Sequence, residues 1–304
     1  MTIPASNRAT IPWASSVAPP RIAVVDAVSR AIAEDVLPLG DLTASLVPEA
    51  ASASISMVSR ADGIVAGQAC ALETFLQIDP SLQVQWRVDD GEAVGPGDVV
   101  AVITGSLRSI LTAERTALNF VGHLSGVASL TRRFVDAVAA ANPDARVLDT
   151  RKTTPGLRAL EKAAVRAGGG HNHRGSLSEA VLVKDNHLGG VSITLAVERA
   201  KRLWPGRMVE VECDRIEQVA EAVAAGATVV MLDNMRPDEV SECAALVRSA
   251  GTGALVEVSG GVDLDTAPLM AAAGADLISV GALTHSAPVL DFGFDLPPVA
   301  GAKG

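Results

Sequence analysis

From about residue 145 onward, short apolar runs rich in β-branched residues alternate with Ala-rich stretches whose apolar positions recur every three to four residues. The runs fall at 146–149, 181–184, 208–212, 229–233, 255–259 and 277–280, and the helical patterns at 157–167, 193–203, 216–225, 237–249 and 264–273. Strand, helix and strand in repeated succession predict right-handed crossovers and a parallel sheet, either closed as a barrel or open and doubly wound, of which the barrel is preferred. Polar residues mark the ends of these runs: Asp149, Lys184, Glu212, Asp233 and Ser259 stand at or just past a C-terminal strand end, and Gly281 follows the last strand. In a closed or nearly closed barrel those ends converge on one mouth, where such folds carry their chemistry. The expectation is therefore an α/β barrel with six strands, short of the usual eight.

Before residue 145 the rhythm differs. Strand-like runs at 55–59, 64–67, 84–88 and 99–104, separated by Asp-Gly and the turn Gly95-Pro96-Gly97-Asp98, predict a small sheet domain. A long helical region over about 110–140 leads into the barrel. The 90–100 turn region, DGEAVGPGDVV, carries no functional weight.

Composition narrows the picture. The 304 residues, 48% of them apolar, suffice for one large or two ordinary domains. The longest uncharged stretch, 116–131, is broken by Asn119, Gly122 and His123, so no membrane span is expected. Residues 1–20 lack the apolar run of a secretory signal and read as a flexible leader, which leaves a cytoplasmic protein as the expectation. Cys70, Cys213 and Cys243 are far apart and without paired spacing, which fits reduced structural thiols and gives no zinc site.

Charge is distributed unevenly. Between Asp149 and His187 lie seven cationic side chains, Arg151, Lys152, Arg158, Lys162, Arg166, Arg174 and Lys184, with three of the five histidines. The chain carries −10 and this stretch +3, so the remainder carries −13 and a general nucleic-acid surface is excluded. Arg158, Lys162 and Arg166 recur at helical spacing and read as the solvated face of a helix that turns Leu157, Leu160, Ala164 and Val165 inward. Arg151, Lys152, Arg174 and Lys184 lie beside apolar runs or in Gly/His/Asn-rich loops, where charge-assisted binding of a multiply anionic substrate is the better explanation.

Other positions extend that reading. Glu212 and Asp233 occupy equivalent places on successive strands and are expected to face each other near the mouth, suited to magnesium bridged to phosphate, unless each merely pairs with a lysine. Ser259-Gly260-Gly261 and Val280-Gly281-Ala282 each lead from a strand toward a helical segment, the arrangement with which barrels grip phosphate. His171, Asn172, His173 and Arg174 follow three glycines, on what is expected to be a mobile loop able to clamp a carboxylated ring. A metal site on those histidines lacks a third ligand. Lys184 at a strand end also admits a Schiff-base aldolase. A non-catalytic phosphate-binding module is a third possibility, for which Glu212 and Asp233 would be superfluous.

The segment DTRKTTPGLRALEKAAVRAGGGHNHRGSLSEAVLVKDNH closely resembles the signature of the quinolinate phosphoribosyltransferases, as do LTAERTALNFVGHLSGVAS, VEVECD, VVMLDNM, LVEVSGGV and LISVGALTHSAPVLDF. The likeness runs in order over roughly residues 30–292. It implies an N-terminal α/β sandwich followed by an incomplete α/β barrel, in a homodimer whose active site draws on the neighbouring subunit. The division expected is a leader at 1–20, the sandwich with its connecting helix at 21–140, the barrel at 141–286, and a segment at 287–304 returning to the N-terminal domain. The implied reaction joins quinolinate to 5-phosphoribosyl-1-pyrophosphate with Mg²⁺ and releases pyrophosphate and CO₂.

Carried over by motif, Arg115 reaches the quinolinate carboxylates from the second subunit, and Thr150, Arg151, His173 and Arg174 hold them from within. Lys152 and Lys184 neutralise the pyrophosphate and the reacting carboxylate. Glu212 and Asp233 hold the ribose hydroxyls and, directly or indirectly, magnesium. The amides of Ser259, Gly260, Gly261, Val280, Gly281 and Ala282 take the 5′-phosphate, with His285 beside them. Gly175-Ser176 and Glu179 depart from the family's pattern, which bears on the loop's geometry and not on its charge. A relative of the same fold with another acceptor is the nearest rival, against which the joint presence of Arg115, Arg151, His173 and Arg174 argues.

Overall fold

The computed structural model describes residues 17–295. In chain order its elements begin with α1 (Arg21–Val36), β1 (Ser52–Ser59), β2 (Gly63–Ile64), α2 (Gln68–Ile78), β3 (Gln83–Trp86), β4 (Ala93–Val94), β5 (Val99–Ser106) and α3 (Leu107–Ala141). There follow β6 (Arg146–Leu148), α4 (Arg158–Ala167), β7 (Val181–Val183), α5 (Asp185–Leu188), α6 (Ile193–Leu203), β8 (Val209–Cys213), α7 (Ile216–Ala224) and β9 (Val229–Asp233). The last are α8 (Pro237–Ser249), β10 (Leu255–Ser259), α9 (Ala267–Ala272), β11 (Leu277–Ser279), α10 (Ala282–His285) and β12 (Phe292–Asp295). The chain divides into two compact units, one of residues 1–130, 154–169 and 287–304, the other of 131–153 and 170–286. Residues 1–16 of the expected leader and 296–304 of the last segment lie outside the described residues.

The first unit is an α/β sandwich. Its main sheet has the order β12-β1-β5-β3 with antiparallel neighbours. Ile55, Met57, Phe75, Ile103 and Ile110 are at most 1% exposed and anchor one apolar cluster. Along α3, Ile110, Ala113, Ala117, Val121 and Leu124 form a buried stripe at the spacing of one helix face. The strand expected over 64–67 stops at Ile64, because the chain turns at Gly67 (φ +101°) directly into α2. The closing segment passes over α3 at Gly122 and Gly126, where a Cβ on Gly126 would stand 2.1 Å from the Pro288 carbonyl oxygen. Leu290 N donates to the Gly122 carbonyl at 3.0 Å, and β12 then pairs with β1.

α4 departs from its expected role. It belongs to the first unit, and Lys162 is only 6% exposed. Arg166 donates to the carbonyls of Val17 and Ala18, and the buried Glu161 accepts from Thr154 N at 3.0 Å and contacts His123 Nε2 at 2.9 Å. The basic face is therefore not simply a solvated one: Lys162 is buried, and Arg166 is taken up by backbone carbonyls of the same unit.

The second unit is an incomplete barrel. Its six strands run in the order β6-β11-β10-β9-β8-β7, with every neighbouring pair parallel. β6 and β7 are the two edges, so the sheet is open between the first strand and the second. The runs at 229–233 and 255–259 and the helices at 193–203 and 237–249 form at the expected bounds. Among the described residues no helix is long and apolar enough to cross a membrane. All three cysteines are buried, and burial pushes the Cys213 thiol up to about 12, which suits a structural thiol.

Candidate active site at the strand ends

Asp149, just past β6, is 0% exposed and organises the loop that follows α4. Its Oδ1 accepts from His173 N at 2.9 Å and its Oδ2 from Asn172 Nδ2 at 2.6 Å. His171 bridges Leu148 in parallel, with His171 N donating to Val147 O at 2.8 Å and Asp149 N to His171 O at 3.1 Å. The loop expected to be mobile is thus pinned to the open edge of β6. Farther along, Glu179 Oε2 accepts from Gly175 N at 2.7 Å, so the longer carboxylate at 179 still closes the turn.

Two cations flank the next strands. Lys152 N donates to Thr150 Oγ1 at 3.0 Å, and Lys152 O accepts from Thr284 Oγ1 at 2.8 Å, tying the end of β6 to α10. A Cβ on Gly281 would fall 3.1 Å from His285 Nε2 and 3.2 Å from Lys152 Cδ, so these three residues meet at close range. Lys184, after β7, forms an ion pair with Glu212 of β8, and its backbone N donates to His187 Nδ1 at 3.1 Å. The pairing alternative for Glu212 is therefore realised.

Glu212 and Asp233 are not level with each other. In the parallel register Glu212 is opposite Met231, while Asp233 is opposite Ser259, so the two carboxylates stand two residues apart along one face of the sheet. The stagger of parallel strands is the reason, since closing such a sheet requires register shear. Asp233 Oδ2 accepts from Asn234 Nδ2 at 2.7 Å. Asn234 takes the left-handed conformation (φ 57°), and its N donates to Ser259 O at 2.9 Å. Gly260 (φ +92°) accommodates this turn, because a Cβ there would lie 2.3 Å from Asn234 Oδ1. Gly261 (φ +59°) faces open space, which leaves its backbone accessible to a ligand.

The interior below these ends is charged. Arg174 is 9% exposed and donates to Ala180 O at 3.0 Å. Burial lowers its affinity for a proton, the nearby Arg151 charge lowers it further, and Glu210 opposes both. His173 Nε2 lies 3.0 Å from Glu210 Oε2 and 3.5 Å from Glu257 Oε1, and Ser279 Oγ donates to Glu257 Oε1 at 2.5 Å. Burial, reinforced by the Glu210 charge, pushes the Glu257 carboxyl up to about 8. Glu210, Glu257 and Ser279 were not foreseen from the sequence, although an acidic residue inside VEVEC and LVEVS is a visible break in otherwise apolar strands. Arg115 lies exposed on α3, in the first unit.

An open parallel barrel that gathers lysines, arginines and carboxylates at its strand ends, beside two glycine turns, has the form of a barrel enzyme that acts on anionic substrates. The chain belongs to the quinolinate phosphoribosyltransferase family: residues 41–125 match the model of its N-terminal domain and residues 127–295 that of its C-terminal domain. It is 40% identical over 259 residues, 84% of this chain and 88% of the relative, to the probable nicotinate-nucleotide pyrophosphorylase [carboxylating] of Bacillus subtilis. With the nicotinate-nucleotide pyrophosphorylase [carboxylating] of Mycobacterium leprae it shares 39% over 276 residues, 89% of this chain and 96% of the other. The solved nicotinate-nucleotide pyrophosphorylase of Francisella tularensis superimposes with a TM-score of 0.86 at 37% identity, covering 91% of this chain and 97% of that one.

Proposed function

We propose that this chain is a carboxylating nicotinate-nucleotide pyrophosphorylase, joining quinolinate to 5-phosphoribosyl-1-pyrophosphate to give nicotinate mononucleotide, pyrophosphate and CO₂ in de novo NAD synthesis. The observation that carries this reading is the nearness of Arg151 to the buried Arg174, beside His173. Two guanidiniums that repel each other in a desolvated place are stabilised by a ligand with two adjacent negative groups, and a pyridine dicarboxylate is such a ligand.

In this reading Arg151, His173, Arg174 and Thr150 orient the acceptor so that its ring nitrogen faces the anomeric carbon. Arg115 of a second subunit completes the grip, which makes a homodimer the working form. The 5′-phosphate lies on the amides of Ser259, Gly260 and Gly261 and of Val280, Gly281 and Ala282, with His285 beside it. Lys152 holds the pyrophosphate as the C–O bond breaks and the C–N bond forms, while Lys184 pairs with the reacting carboxylate. Glu212 and Asp233 stabilise the positive charge that builds on the ribose.

Their hard oxygen donors, staggered on one face, also suit Mg²⁺, which typically takes one or two protein carboxylates and substrate oxygens. Glu212 is already paired with Lys184, so it would help to hold the ion only on releasing the lysine or indirectly. When bound, Mg²⁺ would neutralise the leaving pyrophosphate. After transfer, the carboxylate next to the new pyridinium nitrogen leaves as CO₂; the cationic ring stabilises the electron pair left on carbon, and that carbon takes a proton from solvent. Lys184 is engaged by Glu212, which gives no support to an aldolase that needs its free amine. The cytoplasm is the compartment proposed.

The test mixes purified protein with quinolinate, phosphoribosyl pyrophosphate and Mg²⁺ and follows nicotinate mononucleotide and CO₂ together, with nicotinate replacing quinolinate as the control. Equal amounts of both products, absent with nicotinate, are expected. Binding of phosphoribosyl pyrophosphate without either product would assign the chain another acceptor.

A further inference from the structure

We infer that Asn234, one residue past β9, is a positioning residue that fixes two parts of the site against each other: the Asp233 carboxylate and the glycine turn that follows β10. The inference deepens the proposed function and rests on it for the identity of the ligand.

The backbone supplies the first observation. Among the described residues Asn234 alone combines a side chain with a positive φ, 57°. A residue with a Cβ is strained there, Asn less than most because its short polar side chain makes local hydrogen bonds, and residues held in this way cluster at functional sites. The local cause is a sharp change of direction. Asp233 is opposite Ser259 in the parallel register, and Asn234 N adds one further rung by donating to Ser259 O at 2.9 Å. The chain then leaves the sheet, buries Met235 at 6% exposure and enters α8 at Pro237. Glycine would make the same turn with less strain, so turning the chain does not by itself account for an asparagine.

The side chain supplies what glycine lacks. Asn234 Nδ2 donates to Asp233 Oδ2 at 2.7 Å, and among the described residues no other donor reaches that carboxylate. Glu212 is held by the charge of Lys184, whereas Asp233 has only this amide to set its rotamer. At the other end of the amide, Oδ1 occupies the space that a Cβ on Gly260 would need, so the side chain packs on the backbone of the turn after β10. One planar group thus spans the ends of two neighbouring strands. An aspartate would tolerate the same φ, but it would offer an acceptor where a donor is needed and set two carboxylates side by side. In the proposed function Asp233 serves the ribose and the turn at 259–261 takes the 5′-phosphate of the same molecule. The spacing that Asn234 fixes is therefore a spacing within one ligand, and small errors in such spacings cost large factors in rate.

The experiment separates the turn from the amide. Ribose 5-phosphate, which carries the sugar and the 5′-phosphate, and inorganic pyrophosphate are titrated calorimetrically into the full-length wild type and its Asn234→Gly, Asn234→Ala and Asn234→Asp variants, with thermal midpoints recorded beside them. Asn234→Gly keeps the backbone path, so its midpoint should equal or exceed that of the wild type. Its affinity for ribose 5-phosphate should fall roughly tenfold, the scale of one hydrogen bond to a charged group, with pyrophosphate binding unchanged. Asn234→Asp should lose more, and Asn234→Ala should lose both affinity and midpoint. In turnover, Asn234→Gly should lower kcat/KM for phosphoribosyl pyrophosphate roughly tenfold to a hundredfold while KM for quinolinate holds. The same change should cost clearly less in an Asp233→Ala background, because the carboxylate it holds is gone. Wild-type affinity and turnover in Asn234→Gly, or a full cost without Asp233, would reduce Asn234 to a turn former and overturn the inference. Ribose 5-phosphate binding that weakens in Asn234→Gly supports it even where no nicotinate mononucleotide is made, a result that would remove the acceptor alone; a wild type that binds no ribose 5-phosphate overturns both readings.

Discussion

Around the antiparallel sheet, Ile55, Met57, Phe75 and Ile103 are shut away from water in a cluster made only of apolar side chains. Inside the parallel sheet Asp149, Glu210 and Glu257 are shut away as completely, at 0, 0 and 1% exposure, with Arg174 at 9%. The first interior is held by area removed from water, about 25 cal/mol for each Å² of apolar surface. The second opposes that tendency, since every charge buried there must be matched by hydrogen bonds or an opposite charge. The difference teaches where each interior is constrained: by volume in the cluster against the antiparallel sheet, by donor and acceptor count beneath the ends of the parallel strands. Departures from an apolar core are expected where a fold is committed to function.

The comparison can be broken most severely at the mouth. Lys152→Ala and Lys184→Ala are each expected to lower turnover by about three orders of magnitude, some 4 kcal/mol of barrier, with the thermal midpoint nearly unmoved; near-normal turnover in both would remove the site assignment. The converse change is Phe75→Ala, which empties the largest fully buried position among the described residues and removes the stacked contact with Phe294 at 6.4 Å. A loss of about 3–5 kcal/mol in denaturant unfolding is expected, with KM values unchanged below the midpoint.

A smaller effect sharpens the reading of the glycine turns. Gly260→Ala combines a strained φ of +92° with a Cβ 2.3 Å from Asn234 Oδ1, so KM for phosphoribosyl pyrophosphate should rise roughly tenfold while KM for quinolinate holds. A reversed pattern would place the phosphate elsewhere.

The pH dependence of stability tests the charged interior directly. The Glu257 carboxyl loses its proton near its ordinary value of 4.5 when unfolded and at about 8 when folded, so its protonated form favours folding fully below 4.5. That contribution is lost as pH rises through about 8. Urea titrations from pH 5 to 9 should show a decline that Glu257→Gln flattens. The least effect is expected at the exposed pair of Arg60 with Asp295, where Arg60 Nη1 meets Asp295 Oδ2 at 3.1 Å: Arg60→Ala should leave the midpoint within measurement error.

Much of this was legible before any coordinates. The alternation at 229–233 and 255–259 and the periodicity at 193–203 and 237–249 specify their elements because each face of a strand or helix must meet either core or solvent. Lys152, Lys184, Glu212 and Asp233 could be singled out because charge at the end of an apolar run has few structural explanations. The α1 and α2 helices escaped that reading; Gly67 sits inside an apolar stretch that looks like a strand until its positive φ turns the chain into a helix. α4 misled in the other direction, since a charged stripe at helical spacing does not reveal that carbonyls of Val17 and Ala18 receive it.

What the sequence by itself determined is the alternation of strands and helices in the second unit and the chemical kind of each strand end, both local properties of neighbouring residues. Only the tertiary structure decided which of those groups meet. His173 and Glu210 are 37 residues apart in the chain and 3.0 Å apart in space. Glu212 and Asp233 occupy like places in the pattern yet stand two residues apart in register. Strand stagger and the filling of the interior set those distances, and both are properties of the assembled sheet that no local pattern of residues encodes.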